Sequence, residues 1–347
     1  LITKDDEIIW VSGKSRTFFN ENGEPFMLIG CICEIGKHNK YDNITSLYCE
    51  DVLKERYALA KIAEPQPVTG TILLIGIDNF REINEKYGTK MGNILLAGVA
   101  EAIAVCCKDR ENVFRFHGDE FAVILKEQPS CTTADAKKLY KTIRRKIDSS
   151  IEKNGYHMFF TISGGAASFN TQEDSYEDVL KNAKFALHVS KLNGKNTFTP
   201  YSEDEYLSYI RRIDIQEELR KCVENDFKGF EVYYQPIMKP QTNTLYGSEA
   251  LIRWHSEKYG FMSPVDFIPL LEESSLIIPL GKWIITQAVQ QCKKWCKIIP
   301  DFTVNINLSF VQVIKSDIVG DAMECITQED ISHKNIVFEV TESGELE

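Results

Sequence analysis

Three oxygen-bearing residues stand out late in the chain: Glu249 in SEALIRW, Asn307 in VNINLS and Glu339 in FEVTES. Each falls at or near the C-terminal end of an expected strand. Two carboxylates and an amide oxygen form a hard-oxygen set that suits Mg²⁺, Mn²⁺ or Ca²⁺ better than zinc. Arg253 lies four residues beyond Glu249. The two-residue period of a strand puts both on one face, where a guanidinium can hold a phosphate bidentately. Residue type alone leaves a second account open, in which inward polar residues at strand ends simply satisfy one another.

The elements that must position these residues are legible from apolar spacing. After residue 230 the chain reads as strands EVYYQPI and LYGSEALIRW, then helices in Pro264–Ser274 and Leu280–Trp295. Strand FTVNINLS, helix Val311–Ile326 and strand IVFEVTE follow. Strand–helix–strand repetition predicts a mainly parallel sheet of the TIM-barrel type, in which catalytic residues gather at the strands' C-terminal ends. Such a barrel takes about 250 residues. Only 117 follow residue 230, so the expectation is a barrel that stops half way.

Upstream, residues 71–199 alternate compactly. Thr71–Ile77 reads as a buried strand entering Asp78, and Asn93–Cys107 as a buried helix. VFRF and EFAVIL are strands around a His117-Gly118-Asp119 turn. Helix Ala134–Glu152, strand Met158–Phe169 and helix Tyr176–Leu192 complete a sheet with helices packed on it. Glu203–Val223, apolar at Tyr206, Tyr209, Ile210, Ile213, Leu219 and Val223, reads as a connecting helix. Residues 5–35 read as strands, EIIWVSG and PFMLIGCICEI, and a second helical stretch covers Cys49–Ile62.

Composition narrows the function classes. Apolar residues are 43% and charged residues 26%, an ordinary globular balance. A net charge of −11 suggests no basic face for polymeric nucleic acid, although a few arginines or metal ions can still hold a small anion. No uninterrupted apolar run approaches the roughly 18 residues of a membrane helix. The ten cysteines include no CxxC pair, which argues for thiols in a reducing, cytoplasmic setting rather than zinc ligands or disulfides. Cys292, Trp295 and Cys296 at helical spacing read as core. Position 1 is Leu, so an upstream segment is expected.

Five ordered blocks in the last third resemble the EAL family of cyclic di-GMP phosphodiesterases: YYQPI, SEALIRW, SPVDFIPLLEES, VNINLS and FEVTES. The resemblance implies that Glu249, Asn307 and Glu339 are metal ligands for Mg²⁺ or Mn²⁺, with Glu249 and Glu339 catalytic. It implies that Gln235, Leu251 and Arg253 contact the dinucleotide and that Glu342 steadies a neighbouring loop. The implied reaction is a two-metal hydrolysis that opens the ring to a linear dinucleotide. The family's later acidic pair, lysine and downstream glutamate have no counterpart up to Glu347, so this chain alone is expected to show no turnover.

The middle region resembles the GGDEF nucleotide cyclases through DNFREIN, RFHGDEF and ALHVSKLNGKN, preceded by YDNITSLY. A glycine turn between strands lets acidic side chains approach a triphosphate and its metals. The sequence departs from the family where that chemistry is needed. Gly76 replaces the first metal-binding Asp, His117 replaces the first Gly of the signature, and Thr89 and Asn93 replace a His and an Asp. Lys108 and Glu111 stand where the product-inhibition site has Arg and Asp. Asn84, Asp119 and Glu120 remain, so GTP binding without synthesis is the expectation. The alternative is a plain hairpin turn with Asp78 capping a helix.

The segment GEPFMLIGCICEI resembles the last strands of a PAS sensor, with Cys31 and Cys33 as core thiols. The expected organisation is therefore a PAS-like tail at 1–36, a linker and helix at 37–66 and a degenerate GGDEF domain at 67–200. A connecting helix at 201–230 and a truncated EAL domain at 231–347 complete it. The expected fold class is α/β, a cyclase-like sandwich followed by the first half of a TIM-type barrel. The implied partners are cyclic di-GMP, GTP as an allosteric ligand, and a second copy through helix or domain contacts. The rival reading is a non-catalytic cyclic di-GMP or GTP receptor or scaffold.

Overall fold

The computed structural model describes residues 11–19, 25–34, 40–63, 66–107, 109–126, 131–154 and 159–341. They divide into two compact units, Leu1–Tyr206 and Leu207–Glu347. Glu342 and Lys108, both singled out from the sequence, lie outside the described residues, as do the side chains of Cys31 and Cys33.

The first unit begins with an antiparallel hairpin, β1 (Val11–Phe19) and β2 (Pro25–Glu34). β3 (Tyr48–Cys49) and α1 (Glu50–Ala63) lead into β4 (Thr69–Ile77), α2 (Phe80–Tyr87) and α3 (Thr89–Cys106). β5 (Val113–Arg115) and β6 (Glu120–Leu125) flank the HGD turn. α4 (Thr133–Asn154), β7 (Ile162–Asn170), α5 (Tyr176–Leu192) and β8 (Phe198–Pro200) follow. The sheet order is β3-β5-β6-β4-β7-β8, with β4 antiparallel to both of its neighbours.

From Ile72 to Ile77 β4 carries no polar side chain, because both of its faces are covered there. Leu73, Ile75 and Ile77 pack in one cluster with Leu96, Val99 and Ile103 of α3 and Ile143 of α4. The alternate residues Ile72 and Leu74 pack in a second cluster with Leu53 of α1 and Val179 of α5. This two-residue alternation makes the layered helix–sheet–helix sandwich. α3 is long and apolar enough to cross a membrane by length and composition, which a search for unbroken apolar runs misses. Leu95, Leu96, Val99, Ala100 and Ile103 are buried in the core of this unit instead.

α6 (Glu203–Glu224) runs across the boundary between the units. Its buried residues are Ile215 and Leu219, while Ile210 and Ile213, counted as part of the apolar stripe from spacing, are exposed. β9 (Phe230–Lys239), β10 (Thr244–Ser256), β11 (Gly260–Met262), α7 (Pro264–Glu273) and α8 (Ile277–Cys296) follow. The remaining elements are β12 (Thr303–Ser309), α9 (Phe310–Lys315), α10 (Ile318–Gln328) and β13 (Ile336–Thr341). The expected helix over Val311–Ile326 is in fact two. Ser316 adopts an extended backbone, and Asp317 caps a new helix by accepting from the Gly320 N–H at 3.1 Å.

β10, β12 and β13 are parallel, as expected, but β9 pairs antiparallel with β10, and so does the short β11. Trp254, Val304, Ile306, Leu308 and Ile336 pack with Phe267 of α7 and Ile285 and Val289 of α8. These strand residues are all even-numbered. The odd-numbered residues of the same strands therefore point to the opposite face. Cys292 is fully buried in the helical cluster, and burial pushes its thiol up to about 12, which suits a core role.

Candidate functional site

The opposite face of the second sheet brings the sequence candidates together. Gln235 pairs with Glu249 across β9 and β10, and Asn307 pairs with Glu339 across β12 and β13. Asn307 Nδ2 donates to Glu249 Oε1 at 2.7 Å, tying the central strands diagonally. Leu251 and Arg253 continue the same face of β10, and all three β10 residues are half-buried. Arg253 lies over the Tyr233 ring, 5.6 Å from its centroid, and its Nη1 donates to the Ile252 carbonyl at 2.8 Å. The aromatic ring supports the guanidinium on the face that Glu249 shares, four residues along the strand.

Spacing alone missed Asn305. It sits two residues before Asn307, hence on the same face, and its Nδ2 donates to Glu339 Oε1 at 2.5 Å. The period-two argument used for Arg253 would have found it. Glu249 lies in the middle of β10 rather than at its end, because the strand runs on to Ser256. Ser309 ends β12 and opens α9 with a capping box to Gln312, while its Oγ donates to Glu272 Oε1 at 2.6 Å. This fixes the strand end just beyond Asn307.

The residues of this face fit a hard divalent cation. Each asparagine spends its NH₂ on a carboxylate, which leaves its carbonyl oxygen for a cation. Asn307 and Glu339 are in direct register on adjacent strands, a separation of about 4.8 Å that one ion can bridge.

The first unit gives the opposite answer. Asp78 is 3% exposed and its carboxylate is fully engaged. Oδ1 accepts from Ser163 Oγ at 2.7 Å, and Oδ2 accepts from Thr161 Oγ1 at 2.6 Å and from the Asn196 N–H at 3.0 Å. It does not cap α2; Asn79, in left-handed conformation, occupies the cap position. Asp119 is paired with Lys191 at 3.3 Å. Burial holds the Glu120 carboxyl above the usual range, partly offset by Lys191 and Lys184. Asn84 lies against Gly92, where a Cβ would meet its Oδ1 at 2.0 Å.

The His117 imidazole is 97% exposed and stands 3.6 Å from Glu50 Oε2, while Gly118 takes the positive φ of +70°. Arg115 closes the turn from inside, with Nη1 on the Glu120 carbonyl at 2.8 Å and Nη2 on that of Gly118. A cleft of about 330 Å³ beside it is lined by Asp42, Glu50 and Asp51 together with Arg115 and His117. Among the described residues of either unit, no group of three or more His, Cys, Asp or Glu side chains could hold a metal, so a cation on the Glu249 face would draw on the asparagine oxygens as well. Position 76 supplies no carboxylate, and both oxygens of Asp78 are occupied. Lys191, within the ALHVSKLNGKN block, is the residue of this site that sequence reasoning passed over.

Two family models match the chain: "Diguanylate cyclase, GGDEF domain" over residues 39–197 and "EAL domain" over residues 216–347. The bifunctional diguanylate cyclase/cyclic di-GMP phosphodiesterase MucR of Pseudomonas aeruginosa is 25% identical over 305 residues, 87% of this chain and 44% of MucR. The biofilm architecture maintenance protein MbaA of Vibrio cholerae is 31% identical over 354 residues, 99% of this chain and 43% of MbaA. The cyclic di-GMP phosphodiesterase PdeR of Escherichia coli is 28% identical over 279 residues, 80% of this chain and 41% of PdeR. The chain spans less than half the length of these relatives.

Proposed function

The chain carries a GGDEF domain followed by an EAL domain, and from that premise we propose that it belongs to a metal-dependent cyclic di-GMP phosphodiesterase with a regulatory, non-synthesising GGDEF domain. The observation that carries the reading is the shared face of Gln235, Glu249, Arg253, Asn307 and Glu339.

Glu249, Asn307 and Glu339 would hold Mg²⁺ or Mn²⁺. When bound, the ions supply charge neutralisation at the phosphate and lower the pKa of a water. Arg253, supported on Tyr233, binds a phosphate oxygen and orients the ester, and Gln235 and Leu251 line the dinucleotide's path on the same face. In the hydrolysis one phosphorus–oxygen ester bond breaks, water oxygen joins phosphorus, and the leaving 3′ oxygen takes up a proton. The GGDEF domain binds GTP without joining two molecules of it. Gly76 and the fully engaged Asp78 support that assignment, since neither supplies a free carboxylate.

The test is to incubate the full-length protein with cyclic di-GMP and Mg²⁺ or Mn²⁺, with and without GTP. The expected products are linear dinucleotide, formed faster with GTP, and no cyclic di-GMP from GTP alone. Dinucleotide binding without cleavage would move the protein to the receptors.

A further inference from the structure

Asn305 and Asn307 lie on the same face of β12, and the sheet gives each a carboxylate in register on a neighbouring strand. Glu249 of β10 stands opposite Asn305, and Glu339 of β13 stands opposite Asn307. The hydrogen bonds run along the diagonals instead. Asn305 Nδ2 donates to Glu339 Oε1 at 2.5 Å, and Asn307 Nδ2 donates to Glu249 Oε1 at 2.7 Å. An ionised carboxylate only accepts, so the end of each amide that meets it is the nitrogen. In a planar amide the oxygen leaves on the side away from the nitrogen. Asn305 turns its nitrogen toward β13, which turns its Oδ1 toward β10 and Glu249.

Each of these four side chains keeps one oxygen without a donor. Among the described residues, nothing donates to Asn305 Oδ1, Asn307 Oδ1, Glu249 Oε2 or Glu339 Oε2. Two amide and two carboxylate oxygens therefore stand open on one face, in two in-register pairs on strands about 4.8 Å apart. We infer that Asn305 is a further metal ligand of this face, its carbonyl oxygen joining Glu249 as that of Asn307 joins Glu339. The inference rests on the reading of this face as a divalent-cation site. A hard ion that takes about six oxygens has use for a neutral ligand here. A third carboxylate would add to the repulsion between acids on adjacent strands. The amide adds an oxygen without charge, and its NH₂ holds Glu339 in place.

The full-length protein, without substrate, is titrated with Mn²⁺, and the free ion is read by electron paramagnetic resonance. The natural sequence is compared with Asn305→Ala and Asn305→Asp. Asn305→Ala should weaken Mn²⁺ binding by about tenfold or more, at least what losing an outer hydrogen-bond partner brings. Asn305→Asp keeps an oxygen and loses the N–H donor, so binding at least as tight as the natural protein's is expected.

Weaker binding by Asn305→Asp than by the natural protein overturns the inference, because the residue would then act through its bond to Glu339 alone. Unchanged binding by Asn305→Ala overturns it equally. Aspartate matches asparagine in size, so its result decides the matter if the alanine variant does not fold. A natural protein that binds no Mn²⁺ overturns the metal reading of the face and this inference with it. Failure confined to the variants leaves that reading standing.

Discussion

Asn307 donates from Nδ2 to Glu249 Oε1 at 2.7 Å, joining two parallel strands through their side chains. The bond fixes which way the amide faces: its nitrogen is committed to the carboxylate and its oxygen is left for a cation. Asn305 does the same for Glu339 one strand further on. A pair of amides thus preorganises a pair of carboxylates, with Arg253 on the same face to receive the phosphate.

That placement predicts a binding role for Arg253. Arg253→Ala should weaken cyclic di-GMP binding by about tenfold or more, since a hydrogen bond to a charged group contributes about 1.5–3 kcal/mol. Calorimetric titration checks it, and an unchanged affinity would remove Arg253 from the site.

Asp78 should behave as a structural residue. Asp78→Ala strands the Thr161 and Ser163 hydroxyls and the Asn196 N–H. The expected loss is about 2–4 kcal/mol of stability, read by urea denaturation of the first unit's transition, and independent of Mg²⁺. Unchanged stability would refute the assignment.

Gly165 sits where β7 meets α5. A Cβ there would lie 2.1 Å from the Leu187 backbone nitrogen, which cannot step aside as a side chain can. Gly165→Ala should therefore cost about 1–3 kcal/mol or more through overpacking. A melting temperature equal to the natural protein's would show that β7 and α5 are not in such close contact.

Glu120 gives a pH prediction. Burial raises its folded-state pKa above the unfolded value. The protonated form is thus the one the fold favours. Its contribution is full below the carboxylate range and lost as pH rises through the folded pKa. Glu120→Gln should raise the melting temperature at about pH 7 and give no gain near pH 4. A gain confined to acid would contradict the sign.

Much of this was legible in the sequence, for stated reasons. β4 and α5 could be read almost to their ends because periods of two and 3.6 are strong over buried elements. α3 starts at Thr89, four residues before the spacing suggested, because Thr89, Lys90 and Gly92 surround Met91 with no apolar partner at helical spacing in that turn. The break at Ser316 was hidden because Ile314 and Ile318 keep an apolar rhythm across it. At the site, spacing brought Glu249 and Arg253 to one face. Asp78's bonds to Thr161, Ser163 and Asn196, and Lys191's approach to Gly76, join residues 83 to 118 positions apart. No local pattern encodes such pairings.

The central claim is that the Glu249 face hydrolyses cyclic di-GMP, and the direct measurement is turnover of cyclic di-GMP by the full-length protein with Mg²⁺ or Mn²⁺, beside Glu249→Ala. The account predicts linear dinucleotide from the natural protein and none above background from the variant, which should remain folded because Glu249 is only half-buried. Equal turnover by both proteins would contradict it.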